Sequence, residues 1–141
     1  MISIDEILMG RAKMEDLSPE LQQNLRILHE RINIIRAEYG KPMIVSSGYR
    51  RQSDNDKTAN AAKMSNHLRC AAVDIRDPDG KFWAWCIKNI ETFEELDLYL
   101  EDKRWTPTWV HIQIFPPKSG KRVFIPSAKP PIAPDIWDGK Y

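Results

Sequence analysis

The chain has 141 residues, 42% of them apolar and 29% charged, with a net charge of +1. That length holds one compact domain and is too short for two of ordinary size. With no block of Lys and Arg the balance argues against a protein built to hold nucleic acid, and no apolar run reaches the roughly 18 residues of a membrane span.

The opening Met1-Ile2-Ser3-Ile4-Asp5-Glu6 has neither a basic leader nor an apolar stretch. The expectation is a chain made in a cytoplasm without a secretory signal. Ser3 and Glu6 have capping-box spacing, which predicts a short helix over Ile4 to Met9. Ser18-Pro19 is a helix start. After it Leu21, Leu25, Leu28, Ile32 and Ile35 recur every three or four residues as one apolar stripe, ended by Gly40 and Pro42. Met43 to Ser47 reads as a strand.

Residues 48–70 are rich in Ser, Asn, Asp and Lys and read as a long polar loop with room for one helical turn, a feature that in a compact domain is usually functional or disordered. Ala71 to Ile75 reads as a short strand, Asp77-Pro78-Asp79-Gly80 as a turn and Phe82 to Ile90 as a helix. Leu96 to Glu101 alternates, with Asp97, Tyr99 and Glu101 on one face, and Val110 to Phe115 alternates with His111 and Gln113 opposite the apolar row. Six of the ten prolines fall between Pro116 and Pro134, which predicts an extended tail from about residue 116 that wraps a single domain. The order of elements predicts an α+β fold, with helices packed on a small, mainly antiparallel sheet.

Of the three histidines, His29 sits among Arg26, Glu30 and Arg31 in the long helix and reads as solvated. His67 closes the polar loop, and Asp74 lies on a strand between Val73 and Ile75, where a carboxylate is costly unless something compensates it. His111 lies between Val110 and Ile112. Two imidazoles and one carboxylate, with a fourth position open, form the ligand set of a catalytic zinc site. Spacing alone does not separate that reading from three unrelated polar residues at strand ends.

The wider context is more specific. Ser46-Ser47-Gly48-Tyr49-Arg50, then Ser65-Asn66-His67-Leu68-Arg69-Cys70-Ala71-Ala72-Val73-Asp74-Ile75, then Trp109-Val110-His111 follow one another in this order. Together they resemble the zinc metallopeptidase family of D-alanyl-D-alanine carboxypeptidases and phage L-alanoyl-D-glutamate peptidoglycan endopeptidases. That family carries S-G-Y-R, then S-x-H-x-x-G-x-A-x-D, then W-x-H. The resemblance implies a D-Ala-D-Ala carboxypeptidase/hedgehog-like fold and Zn2+ held by His67, Asp74 and His111. It also implies that Arg50 binds a substrate carboxylate and that Ser65 orients His67 or donates to substrate. For Arg50 the alternative is a structural salt bridge.

Two departures stand out. Cys70 replaces the family's glycine, where a positive φ would be strained, although a side chain this small is compatible with a tight loop; the minor alternative is a thiolate acting as a fourth, inhibitory zinc ligand. Thr108 stands where many members carry the catalytic glutamate, so the expected base is Glu101, at the end of the preceding strand as in other members. The alternative is an ordinary surface glutamate. The other cysteine, Cys86, is too distant for a redox pair, and both thiols are expected reduced and buried.

The expected activity is therefore hydrolysis of a peptide bond in the stem peptide of bacterial cell wall. The protein is expected to be endolysin-like, to act as a monomer and to reach the wall after release. The competing reading is a non-catalytic, zinc-bearing binding or virion module of the same fold.

Overall fold

A computed structural model describes residues 1–58 and 65–126. The capping box forms as expected: Ser3 Oγ accepts from Glu6 N, Glu6 returns the bond to Ser3 N, and helix α1 covers Ile4–Leu8. Helix α2 spans Pro19–Tyr39, with Ser18 as its cap and Gly40 ending it at φ 71°. Its stripe of Leu25, Leu28, Ile32 and Ile35 is fully buried, worth about 1.5–3 kcal/mol for each side chain.

Five strands form one sheet in the order β1-β2-β4-β3-β5 among the described residues. They are β1 (Val45–Ser47), β2 (Ala72–Arg76), β3 (Tyr99–Glu101), β4 (Trp109–Gln113) and β5 (Val123–Phe124). All neighbours are antiparallel except β3 and β5. The pleat sorts the side chains. Val73, Ile75, Leu100, Val110 and Ile112 join the α2 stripe in the core, whereas Ala72, Asp74, His111 and Gln113 point to the other face. The α+β expectation holds, with helices against a mainly antiparallel sheet.

Several boundaries differ from the sequence reading. The polar loop contains helix α3 (Gln52–Lys57) and a 3-10 turn at Asn66–Arg69, and residues 59–64 lie outside the described part. The predicted helix after the turn is two short ones, α4 (Lys81–Lys88) and α5 (Ile90–Glu95). Both oxygens of the buried Asp77 carboxylate accept backbone N–H groups at the start of α4, from Phe82 (3.1 Å) and Trp83 (2.9 Å). Gly80 cannot supply such a side-chain cap.

The alternation from Leu96 does not make a six-residue strand. Leu96 ends α5, Asp97 has φ 50°, and β3 begins only at Tyr99. Asp97 therefore does not share a strand face with Glu101; it is exposed and pairs with Arg122 at 3.7 Å. The start of the expected tail adds β5 to the sheet edge, because Val123 and Phe124 pair with Leu100 and Glu101. The rest of the tail, from residue 127, lies outside the described residues.

Candidate metal centre

Three loops and strands converge on one point. The 3-10 turn carrying His67 begins at Ser65, whose hydroxyl accepts the His67 N–H at 3.1 Å. Ser65 is itself buried, and its hydroxyl caps the turn that carries His67. The turn ends at Cys70, with φ 54° and ψ 32°. A positive φ is needed here, as the glycine of the resembling family implies, and the small Cys70 side chain adopts it. Asn24 on α2 ties the turn down by donating to the Arg69 carbonyl at 3.0 Å.

Asp74 and His111 are directly paired across β2 and β4, and Ser47 is paired with Asp74 on the other side. On β3, Tyr99 pairs with Gln113 and Leu100 with Ile112. Continuing that antiparallel register by one residue brings Glu101 opposite His111. One row therefore crosses the sheet from Ser47 through Asp74 and His111 to Glu101 and Phe124. The His111 and Phe124 rings are 6.2 Å apart, edge to face.

His67, Asp74 and His111 are all buried and bring one ligand atom each to within 4.8 Å of one another. Asp74 Oδ1 lies 3.3 Å from His67 Nε2 and 2.9 Å from His111 Nδ1. Adjacent ligand atoms on a tetrahedral zinc with bonds near 2.0 Å are about 3.3 Å apart.

The outer hydrogen bonds decide what this cluster needs. His67 Nδ1 lies 2.8 Å from the Gly48 carbonyl. A carbonyl only accepts, so Nδ1 carries the hydrogen and Nε2 presents a lone pair to a carboxylate oxygen. Two acceptors at 3.3 Å repel unless a cation lies between them. Burial pushes His67 down, against the pull of Asp74, so a second proton is disfavoured there. In the metal-free chain His111 is pushed up to about 9: burial opposes this, but the Asp74 hydrogen bond and charge outweigh it. Asp74 is held well below the usual carboxylate range, because the two histidines outweigh its burial. The cluster thus calls for positive charge between its ligand atoms, and a divalent metal fits this donor set.

Gly48 is built into this arrangement. A Cβ there would lie 2.1 Å from the Ile7 carbonyl oxygen, inside helix α1. Tyr49 N donates to that same carbonyl at 2.7 Å. Only glycine lets the loop press against α1 and turn its own carbonyl toward His67.

Arg50 stands beside the cluster. Its Nη2 is 3.8 Å from Asp74 Oδ2, and its Nε and Nη2 donate to Ser47 Oγ at 3.3 and 3.2 Å. Asn55 on α3 accepts from Nη1 at 3.4 Å. Burial draws its pKa down from the ordinary value, while Asp74 and Glu101 pull the other way. The salt-bridge alternative for Arg50 is therefore present in the structure, and 11% of its side chain remains exposed beside the metal cluster.

A family model for peptidase M15 matches residues 4–113. The chain belongs to the peptidase M15 family. No curated protein and no solved structure matches it. The matched span of this M15 chain contains every residue of the cluster, together with Arg50, Ser65 and Glu101.

The remaining sequence-predicted residues separate. Glu101 is half-buried, and its negative charge bears on both His111 and Arg50. Thr108 is exposed, with its carbonyl accepting from Asp77 N at 2.9 Å. Cys70 lies outside the convergent group among the described residues, and burial pushes its thiol up to about 12. A thiolate ligand at Cys70 is therefore not what this M15 site presents. Both cysteines are free and buried, as expected. Gln113 and Asn55 were not singled out by the sequence reading. Gln113 had a signal, because period-two alternation puts it on the His111 face.

Proposed function

We propose that the chain is a zinc peptidase that hydrolyses a peptide bond in the stem peptide of bacterial peptidoglycan, in the manner of a phage endolysin, after release from the cell that makes it. The observation that carries the catalytic part is the cross-sheet row: Glu101 stands one strand beyond His111, on the face of Asp74. A carboxylate so placed is the general base that a metal ligand set alone lacks. The stem-peptide substrate rests on the resemblance of the Ser47-Gly48-Tyr49-Arg50 segment and on the cationic Arg50 beside the cluster.

In this reading His67, Asp74 and His111 hold Zn2+. When bound, zinc supplies Lewis acidity, which makes water acidic near neutral pH and polarises a carbonyl oxygen. Glu101 takes the proton of the attacking water and passes it to the leaving amine. Arg50 holds a substrate carboxylate through charge-assisted hydrogen bonds and sets the register of the scissile bond. Gly48 and Ser65 keep His67 in place.

Metal analysis and mass spectrometry of digested, purified peptidoglycan test the proposal together. The expected result is one zinc per chain and new stem-peptide termini that vanish with chelator and return with zinc. Less than about a tenth of an equivalent after zinc addition and desalting counts against the metal. Zinc binding with intact peptidoglycan would instead favour the non-catalytic module.

A further inference from the structure

His111 and Gln113 are two residues apart on β4, so both side chains project to the same face of the sheet. Gln113 is buried, between Ala72 on β2 and Tyr99 on β3. Its amide Nε2 donates to the Phe115 carbonyl at 2.7 Å, and its Oε1 lies 2.8 Å from His111 Nε2. Turning the amide over would set Oε1 against the Phe115 oxygen, two acceptors with no hydrogen between them. The backbone carbonyl therefore fixes which way the amide faces. Oε1 can only accept, so His111 Nε2 must carry a hydrogen. In the metal-free chain Nδ1 also carries a hydrogen, toward Asp74 Oδ1 2.9 Å away; when a metal displaces that one hydrogen, the lone pair is on Nδ1 and Nε2 keeps its own.

We propose that Gln113 selects the metal-binding nitrogen of His111, as a positioning residue that holds the ring in the Nε2–H form with Nδ1 toward the metal. This rests on the zinc peptidase reading and adds to it a residue that touches neither metal nor substrate. The two histidines are locked by different means. His67 is oriented by the Gly48 backbone carbonyl, which no side-chain replacement deletes. His111 is oriented by an amide, which a substitution can remove. Without it the ring is free to turn over and to exchange tautomers. The anchor of the amide is tied to the other ligand's turn, because the Arg69 guanidinium lies 3.9 Å from the centroid of the Phe115 ring.

Two measurements on the full chain test this. Chelator competition compares zinc affinity in the wild type, Gln113→Leu and Gln113→Glu. The leucine variant is expected to bind zinc about 10- to 100-fold more weakly. The glutamate variant keeps an acceptor for His111 and is expected to lose less. Long-range 1H–15N spectra of the wild type should show the hydrogen on His111 Nε2 alone with zinc bound, and on both ring nitrogens in the metal-free chain at neutral pH. An unprotonated or metal-bound Nε2 overturns the proposal, and so does a folded Gln113→Leu with wild-type zinc affinity. If the leucine variant does not fold, the wild-type spectrum still decides. Absence of zinc binding by the wild type would sink the zinc peptidase reading, while a missing Nε2 hydrogen in the metal-free chain would by itself overturn the role of Gln113.

Discussion

The Gly48 carbonyl and His67 Nδ1 are 2.8 Å apart, and this bond turns His67 Nε2 toward Asp74. Its geometry depends on the Gly48 backbone lying against the Ile7 carbonyl of α1. Helix α1, far from the cluster in sequence, thereby takes part in shaping it.

Gly48→Ala is the direct probe of that contact. The added Cβ meets backbone rather than a flexible side chain, so the loop must shift. The expected loss is about 1–3 kcal/mol of stability, the usual range for overpacking, accompanied by weaker zinc binding. Urea denaturation and chelator competition measure the two effects. Wild-type values for both would mean that the loop relaxes without moving the carbonyl.

Glu101→Gln keeps the size of the side chain but cannot accept the proton. It should retain zinc and lose at least about a hundred-fold in turnover. Exposed Glu94 supplies a neutral control, with Glu94→Gln near wild type. Asp102 does not serve as one. On sequence alone Asp102→Asn is expected near wild type, but Asp102 is fully buried and takes a bidentate pair from Arg104 at 3.0 and 2.9 Å. Asp102→Asn should cost about 1–3 kcal/mol by leaving those charge-assisted bonds incomplete. Normal cleavage by Glu101→Gln would remove Glu101 from the mechanism.

Arg50→Ala tests substrate binding against the salt bridge. Loss of one charge-assisted contact, about 1.5–3 kcal/mol, corresponds to a ten- to hundred-fold fall in kcat/KM. The contact to Asp74 is long, at 3.8 Å, so zinc content and melting temperature should stay near wild type. A variant that loses zinc along with activity would show that Arg50 serves Asp74 rather than the substrate.

Cys70 gives a pH-dependent prediction. Burial pushes its thiol up to about 12, from an ordinary value of 9.0. The raised folded pKa means that the stabilising, protonated form is complete below pH 9 and is lost as pH rises toward 12. At pH 8 the folded chain should resist iodoacetamide at Cys70 and react only after denaturation, since the thiolate is the nucleophile. Peptide mapping after alkylation reads this out. Rapid labelling of the folded chain at pH 8 would show an accessible thiolate.

Much of the site was legible before any coordinates. His67, Asp74 and His111 carry their residue types and order in the chain, and the alternation around Asp74 and His111 shows that each must face away from the core. The long helix was equally legible, because a stripe of Leu and Ile at helical spacing, a Ser-Pro start and a Gly-Pro stop all agree. The error at Leu96–Asp97 has a clear cause. Alternation over six residues reads as a strand, but Leu96 closes α5 and Asp97 takes φ 50°, so helix termination overrides the pattern.

What the sequence determined by itself was the chemistry: which donors exist, which strand faces they share and which family their order resembles. Tertiary structure alone decided how those donors are oriented. The ring nitrogen that each histidine presents depends on the Gly48 carbonyl and on the Gln113 amide, the latter turned by the Phe115 carbonyl. The place of Glu101 opposite His111 depends on the register of β3 against β4, and the burial of Asp102 on the Arg104 side chain folding back over it. The physical reason is that periodicity assigns a side chain to a face, whereas a hydrogen bond is made at one angle and one distance. Those depend on segments far apart in the chain being brought together by the core.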